Sequence, residues 1–302
     1  EYNDEGVEVS EVPWKNIPGF TVKAGASRTI EEKHNVFINF GYISRTPRFR
    51  NVVDLGVLNE FLRDIENENI ASIELGYGYR TSNFSASVNA YYTDWQNRPI
   101  DGGVNVFLPD RGISVRANLN DMSAVHKGIE FTSKYVINKK LTADFFASFG
   151  DWRWNSAKTV NFFDDQGRPL AVVDDNNQPT DSLVTIKFDA RGVFVGDAPQ
   201  TQIGGAFQWD FVKNAYIKGW YTFFDRHYAN FAPLQLHDVD EGRQSWKIPG
   251  YGLMSVFAGY RYDFDKVSLE LNFILDNLHN IRYIAAATNN AGSSHVTTNS
   301  LD

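Results

Sequence analysis

Apolar and polar residues take turns along most of this chain. Between 267 and 276, Val267, Leu269, Leu271, Phe273 and Leu275 share one parity, and Ser268, Glu270, Asn272 and Asp276 the other. Residues 84–93 repeat the pattern, with Phe84, Ala86, Val88, Ala90 and Tyr92 opposite Ser85, Ser87, Asn89, Tyr91 and Thr93. Successive side chains of an extended strand point to opposite faces, so this period predicts strands with one greasy and one wet face. Similar alternation covers 20–30, 36–43, 70–80, 127–137, 141–152, 201–211, 215–224 and 253–263. Each such segment is about ten residues long, the length a tilted strand needs to cross a bilayer.

The connections alternate as well. Tight turns are expected at 31–35, 81–83, 138–140, 212–214 and 265–266, all rich in turn-forming or charged residues. Between them lie long polar stretches at 44–69, 95–126, 153–200 and 225–252, carrying Arg-Pro, Asp-Gly, Gly-Gly and Asn-Asn steps that read as loops. Connections in a compact soluble domain usually run to about 4–6 residues. Outer-membrane barrels, by contrast, join short periplasmic turns to long extracellular loops. The polar faces carry both signs of charge, in Glu74, Arg80, Glu130, Lys134, Asp144, Asp210, Lys218, Arg261, Asp263 and Glu270, as a hydrated lumen would. Aromatic residues crowd the strand ends, at Tyr91, Tyr92 and Trp95, Trp152 and Trp154, Trp209 and Phe211, Trp220 to Phe224, and Tyr260 to Phe264, as interfacial girdles do. The expected fold is all-β, an antiparallel transmembrane β-barrel fragment.

Composition narrows the function. The 302 residues hold 29 Lys and Arg against 37 Asp and Glu, a net charge of −8, the wrong sign for a nucleic-acid partner. The absence of cysteine excludes disulfides, Cys-ligated zinc, iron–sulfur clusters and thiol nucleophiles. No apolar run is long enough for a transmembrane helix, which says nothing about strands. The start, Glu1-Tyr2-Asn3-Asp4, has no basic or apolar leader and reads as that of a mature or truncated chain. The end, Ala291-Gly292-Ser293-Ser294-His295 to Asp302, reads as a polar loop with no returning strand.

Four segments carry a family resemblance. Asn35-Val36-Phe37-Ile38-Asn39-Phe40-Gly41-Tyr42, followed by Ser44-Arg45-Thr46-Pro47-Arg48-Phe49, resembles the aromatic-rich strand and Ser-Arg-x-Pro-x-Phe segment of TonB-dependent outer-membrane receptors. Glu68-Asn69 with Glu74-Leu75-Gly76-Tyr77 resembles the next family strand, His126-Lys127-Gly128-Ile129-Glu130-Phe131 a later strand start, and Asp276-Asn277-Leu278-His279-Asn280-Ile281-Arg282-Tyr283 the Asn-Leu-Phe-Asn-x-x-Tyr near the family's C-terminus. The matches keep the family's order from 35 to 283 and are similar in flavour to receptors of Bacteroidetes-type bacteria. The chain departs from the pattern at His279, where the family usually has Phe, and in lacking a final strand, a plug and a TonB-interacting segment. The resemblance implies the C-terminal part of a single barrel domain of about 22 strands, placed in the bacterial outer membrane. Its implied partners are outer-membrane lipid and lipopolysaccharide, a plug domain and TonB acting through parts not in this chain, and a nutrient ligand such as a siderophore, vitamin, oligosaccharide or peptide.

A receptor that imports a solute performs no covalent chemistry, so no catalytic, cofactor or metal site is expected. Ligand contacts belong on the loops and the upper lumen. The 225–252 connection offers Arg226, His227, His237, Arg243 and Trp246 among Asp225, Asp238, Asp240 and Glu241, although solvated loop charges look the same. Asp238-Val239-Asp240-Glu241-Gly242 resembles part of a calcium loop without its bidentate Glu. Trp95, Trp152 and Trp154 share the lumenal parity and could stack on a ring, or belong to a girdle. Arg45 and Arg48 could meet an anionic ligand such as a ferric chelate, or bind lipopolysaccharide phosphates or neighbouring carboxylates. Asp164 to Pro169 and Asp174 to Pro179 repeat a turn pattern that a hairpin inside the long loop would explain, and Gly204-Gly205 would let a plug or loop approach closely. Two rivals stand beside the receptor. One is a closed ten-strand outer-membrane hydrolase using Asp225, His227, His237 and Asp238. The other is a soluble β-rich carbohydrate-binding domain with its Leu269-Leu271-Phe273 face buried between sheets.

Overall fold

The computed structural model describes residues 14–47, 52–54, 60–61, 66–98, 104–108, 113–117, 122–162, 170–173, 178–231, 241–289 and 296–301. Ten long strands form one antiparallel wall: β1 (Phe20–Ile30), β2 (His34–Arg45), β3 (Glu68–Arg80), β4 (Phe84–Arg98), β5 (Met122–Asn138), β6 (Leu141–Trp154), β7 (Thr201–Val212), β8 (Ala215–Asp225), β9 (Tyr251–Asp263) and β10 (Ser268–Leu275). Their order in the sheet is their order in the chain. Each alternating segment of the sequence coincides with one of them, and β4 and β5 reach several residues further toward the long loops than the alternation indicates.

The register places every second residue of all ten strands on a common face. Glu74 lies opposite Asn39 and Tyr91, Lys134 opposite Ser85 and Asp144, and Lys218 opposite Gln208 and Phe257. This polar face is tied across strands, with Asn39 donating to Glu74 at 3.1 Å and Lys218 paired with Asp144 at 3.2 Å. The opposite face is apolar and bare: Leu75 is 55% exposed, Phe207 64% and Phe273 60%. Leaving water is worth about 1.5–3 kcal/mol for a side chain of this kind, so such a face requires an apolar surrounding. A soluble sandwich would have buried Leu269, Leu271 and Phe273, and here all three are exposed. β1 and β10 form the two edges of the sheet and do not pair with each other, so these ten strands do not make the closed barrel that the hydrolase reading needs.

Parity divides the aromatic residues. Tyr92, Trp209, Tyr221, Phe223, Tyr260 and Tyr262 stand on the apolar face and are exposed there, as girdle residues should be. Trp95, opposite Ile70 and Ala124, Trp152, opposite His126, and Trp154, opposite Ala124, stand on the polar face. The girdle alternative is therefore corrected for these three. At Gly204 a Cβ would lie 2.6 Å from the Phe146 ring of the adjoining strand, so the glycine makes room for an aromatic within the wall.

The long connections carry short strands of their own. Ala157–Asn161 pairs with Thr185–Asp189, and inside that ladder Ala171–Val173 pairs with Pro179–Leu183, the expected hairpin closing across the second of the two repeated turn patterns. Asp164 to Pro169, the first repeat, lies outside the described residues. In the 225–252 connection His227–Tyr228 pairs with Lys247–Ile248. The end of the chain differs from the loop expected of it. Tyr283–Asn289 pairs antiparallel with Val296–Leu301 and parallel with Asn230–Phe231, as the β-branched and aromatic residues in 283–288 and 296–298 favour.

Candidate functional site

Most of the polar-face candidates meet in one strip at the long-loop end of β2 to β6. Arg45 ends β2 directly opposite Glu68, which begins β3, and its Nη2 donates to Glu68 Oε2 at 2.9 Å. The same oxygen accepts Trp95 Nε1 at 3.0 Å, and Glu68 is buried beneath both donors. The Arg98 guanidinium lies 4.8 Å from the centre of the Trp95 ring and 4.9 Å from that of Trp154, and the Arg45 guanidinium lies 5.4 Å from Trp95. His126 stands edge-on to Trp95 at 6.1 Å and to Trp152 at 5.6 Å. Trp152 Nε1 donates to the Tyr91 hydroxyl at 2.8 Å. Two guanidiniums lie over indole faces here, and one of them, Arg45, is paired with the buried Glu68 carboxylate. Such a shelf can offer charge-assisted hydrogen bonds to an anion and a flat surface to a ring.

Beside the shelf, on the other face of β6, Asp151 gathers cations: Arg153 Nε at 2.7 Å, Lys127 Nζ at 3.6 Å and Arg226 Nη2 at 4.0 Å. Arg226 also donates to the Gly150 carbonyl at 2.7 Å, so it anchors the top of β8 to β6. Arg153 donates to the Gly192 carbonyl at 2.9 Å and sits 4.1 Å over the Phe194 ring, which stacks on Tyr228 at 4.1 Å. Gln200, buried, finishes the β6–β7 ladder with its side chain: Oε1 accepts Trp152 N–H at 2.9 Å, and Nε2 donates to the carbonyls of Trp152 and Val195, both at 3.1 Å. The 241–247 segment that carries Arg243 and Trp246 docks on the same connection, with Gln244 Nε2 donating to the Gly192 carbonyl at 3.1 Å.

His227 and Trp246 belong to a third place. Trp246 packs on a small core of Ala229, Ile248 and Ala287. The His227 ring is buried, and neither ring nitrogen has a hydrogen-bond partner. Burial pushes its pKa below the ordinary imidazole value, against an opposing pull from Asp197. Asp225, its would-be acid–base partner, is paired instead with Lys247 at 2.8 Å. Arg48, His237, Asp238 and Asp240 lie outside the described residues. Among the described residues no three His, Asp or Glu side chains are placed to share a metal ion.

Thus Arg45, Trp95, Trp152 and Trp154 come together, Arg226 lies in the adjoining cation cluster, and His227 and Trp246 stand apart. Sequence reading missed Arg98, Glu68, His126 and Gln200 as site residues. Arg98 was hidden by a bulge: Asn97 takes φ +55°, the register shifts between Trp95 and Arg98, and strict alternation from Trp95 would point Arg98 the other way. Glu68 was legible as a motif residue, two positions short of the strand alternation.

A membrane-facing wall of one-sided antiparallel strands, short turns at one end and knitted loops over a polar shelf at the other, defines an outer-membrane receptor barrel. Residues 7–278 match the family described as TonB dependent receptor-like, beta-barrel, and the chain belongs to that family. Among solved structures it is similar to the copper transporter OprC (TM-score 0.54, 13% identity, covering 86% of this chain and 34% of that one). It is similar also to the ferric yersiniabactin uptake receptor FyuA of Yersinia pestis (0.54, 14%, 93% and 35%). A third is a mutant of the ferric enterobactin receptor PfeA of Pseudomonas aeruginosa in complex with enterobactin (0.56, 12%, 88% and 36%). The chain spans about a third of the length of these structures. No curated protein matches it.

Proposed function

We propose that the protein to which this chain belongs captures a scarce solute at the extracellular mouth and imports it in a TonB-coupled manner, with no covalent chemistry, and that the solute is an anionic compound with a flat or aromatic part. The shelf carries this reading: Arg45 and Arg98 lie over Trp95, Arg98 also lies over Trp154, and Glu68 holds Arg45 at 2.9 Å. In this reading Arg45, Trp95, Trp152 and Trp154 contact the ligand, while Arg226 anchors the end of β8 to β6 beside them. The rest of the barrel, the plug and the TonB contact come from sequence outside this chain. Ferric chelates fit the shelf's chemistry, and structural neighbours include the ferric yersiniabactin uptake receptor FyuA and the ferric enterobactin receptor PfeA. Cobalamin, oligosaccharides and peptides are the other classes such barrels take up.

The test is uptake by cells expressing the full-length receptor, with and without TonB, offered a labelled ferric tris-catecholate, cobalamin or a neutral malto-oligosaccharide. The expected result is TonB-dependent accumulation of the ferric chelate, with affinity falling about tenfold when Trp95→Ala and Arg98→Ala are combined. Accumulation that is equal without TonB overturns the coupling. Preference for the neutral sugar overturns the solute class.

A further inference from the structure

The lumenal face of the wall changes character from one side to the other. On β4 and β5 its middle rows carry hydroxyls, amides and charges, with Ser85 opposite Lys134, Ser87 opposite Thr132 and Asn89 opposite Glu130. Followed across to β6 through β9, the same rows carry rings: Phe146 lies opposite Gly204, Trp220 opposite Ala206 and Ser255, Thr222 opposite Leu253, and Phe224 opposite Tyr251. Between β6 and β8 the intervening strand offers only Gly204 and Ala206 here, so the Phe146 and Trp220 rings stack across it with centroids 5.6 Å apart. Nearer the mouth, Phe224 and Tyr251 are 5.1 Å apart, and Tyr283, in the connection after β10, stacks on Tyr251 at 4.3 Å. With Phe257 below, opposite Lys218, apolar side chains line this side of the lumen over about 20 Å of β9.

Charge divides the two sides in the same way. Lys218 is tied to Asp144 at 3.2 Å, and its ammonium lies 4.9 Å from the centre of the Trp220 ring. Trp220 Nε1 donates to Thr222 Oγ1 at 2.8 Å, which leaves the indole face open. An acid-tied cation over an indole is also what the shelf presents at the mouth, where Glu68 holds Arg45 beside Trp95. Glu130 and Lys134, by contrast, make no ion pair among the described residues. A domain filling the barrel therefore finds open charges to pair with on β5, whereas the charges in the ring-bearing rows of β6 to β9 are already paired.

We propose that the solute descends along the β6 to β9 side of the lumen, its flat part passing over Tyr251, Phe224 and the Phe146–Trp220 pair and its negative charge passing Lys218. The inference rests on the solute class read from the shelf and adds the route taken below it. A site on a path has to bind well enough to be entered and loosely enough to be left. A lysine already tied to Asp144 meets that requirement for an anion, because the carboxylate offsets most of its charge. Ring faces meet it for a flat group, because they attract without fixing one position.

The test uses the full-length receptor in the outer membrane of living cells, with a ferric tris-catecholate as the probe. When Phe146→Ala and Trp220→Ala are combined, the maximal TonB-dependent uptake rate should fall about fivefold, and Trp220→Phe should keep most of it. Equilibrium binding to de-energised cells, which reads the shelf, should change by less than about twofold. Thr132→Ala, in the Phe146 row on β5, should alter neither quantity. A second measurement leaves the rings in place: single cysteines at Ser255→Cys, beside Trp220, and at Ser85→Cys, in the same row on β4, are labelled with an impermeant maleimide. During uptake, labelling should rise several-fold at Ser255→Cys and stay level at Ser85→Cys. An unchanged uptake rate in the double variant, a rise that is equal at the two cysteines, or no rise at Ser255→Cys overturns the inference. A plug that becomes protease-sensitive in resting Trp220→Ala cells would assign the rings to plug packing and also overturns it. A parent receptor that takes up no chelate overturns the solute class, and this inference with it.

Discussion

Three side chains show how single residues set the site. Glu68 holds Arg45 and Trp95 with one carboxylate oxygen while buried, so Glu68→Ala would strand both donors. The expected cost is about 1–2 kcal/mol, discounted because Arg45 can turn to water, read as a lower unfolding temperature of the full-length receptor in detergent. Gln200 is the more local case: Gln200→Ala removes three bonds that finish the β6–β7 ladder, and amide exchange should rise at Trp152, whose N–H it caps, before it rises in the strand centres. His227 gives a pH dependence. Its imidazole is held neutral by burial, so the folded pKa lies below the unfolded one near 6.5. At pH 7 both states are neutral and nothing is lost. As pH falls below about 6.5 the unfolded segment takes up protons that the folded one does not, and the stability of the His227–Tyr228 and Lys247–Ile248 pair declines. Exchange protection at Ala229, whose N–H bonds the Trp246 carbonyl at 2.8 Å, should therefore weaken between pH 6.5 and 5 after correction for intrinsic rate. In His227→Phe that slope should vanish.

Within the wall, glycines are paired with aromatic rings on adjoining strands. Tyr91 covers Gly128, Phe37 covers Gly76, Phe146 covers Gly204 and Tyr216 covers Gly259. These pairs let a ring lie flat against the lumenal surface instead of projecting into it. A methyl group at Gly128 would stand 2.6 Å from both the Tyr91 hydroxyl and the Phe149 carbonyl, so Gly128→Ala should cost about 1–3 kcal/mol and free Trp152 from its bond to Tyr91. Gly78→Ala, with nothing nearer than 3.9 Å, is the matched control. Both are read by the temperature at which the folded band is lost on gels. At this scale the sequence was largely transparent. One face of each strand meets lipid and the other meets polar groups, so a period of two survives along all ten wall strands. The alternation fails where geometry departs from a plain strand, and the bulge at Asn97 that turns Arg98 onto the shelf is the clearest instance. It fails too in the connections, where Ala157–Asn161 and Thr185–Asp189 pair across a long insertion with no period of their own.

For the whole molecule, one parity decides where a residue lives. Glu74 and Leu75 are neighbours in the chain and on opposite sides of the wall. Leu75→Arg should cost about 2–4 kcal/mol near the bilayer midplane, as lower folding yield into lipid vesicles, whereas Glu74→Arg loses only its bond with Asn39 and should fold nearly as well as the parent. Equal losses at the two positions would contradict the assignment of faces. The shelf, the cation cluster around Asp151 and the core beneath Trp246 are then three arrangements at the same long-loop end, built from connections that also bind one another through the Gln244 side chain and through the Gln200 N–H, which donates to the Arg226 carbonyl at 3.1 Å. Because every wall strand pairs only with its neighbours in the chain, the strands can zip as successive hairpins, without waiting for distant partners to meet. Chain continuity through the long loops is then dispensable to the ladders. A single proteolytic cut between β6 and β7 should leave two fragments that stay together and migrate as one until boiled.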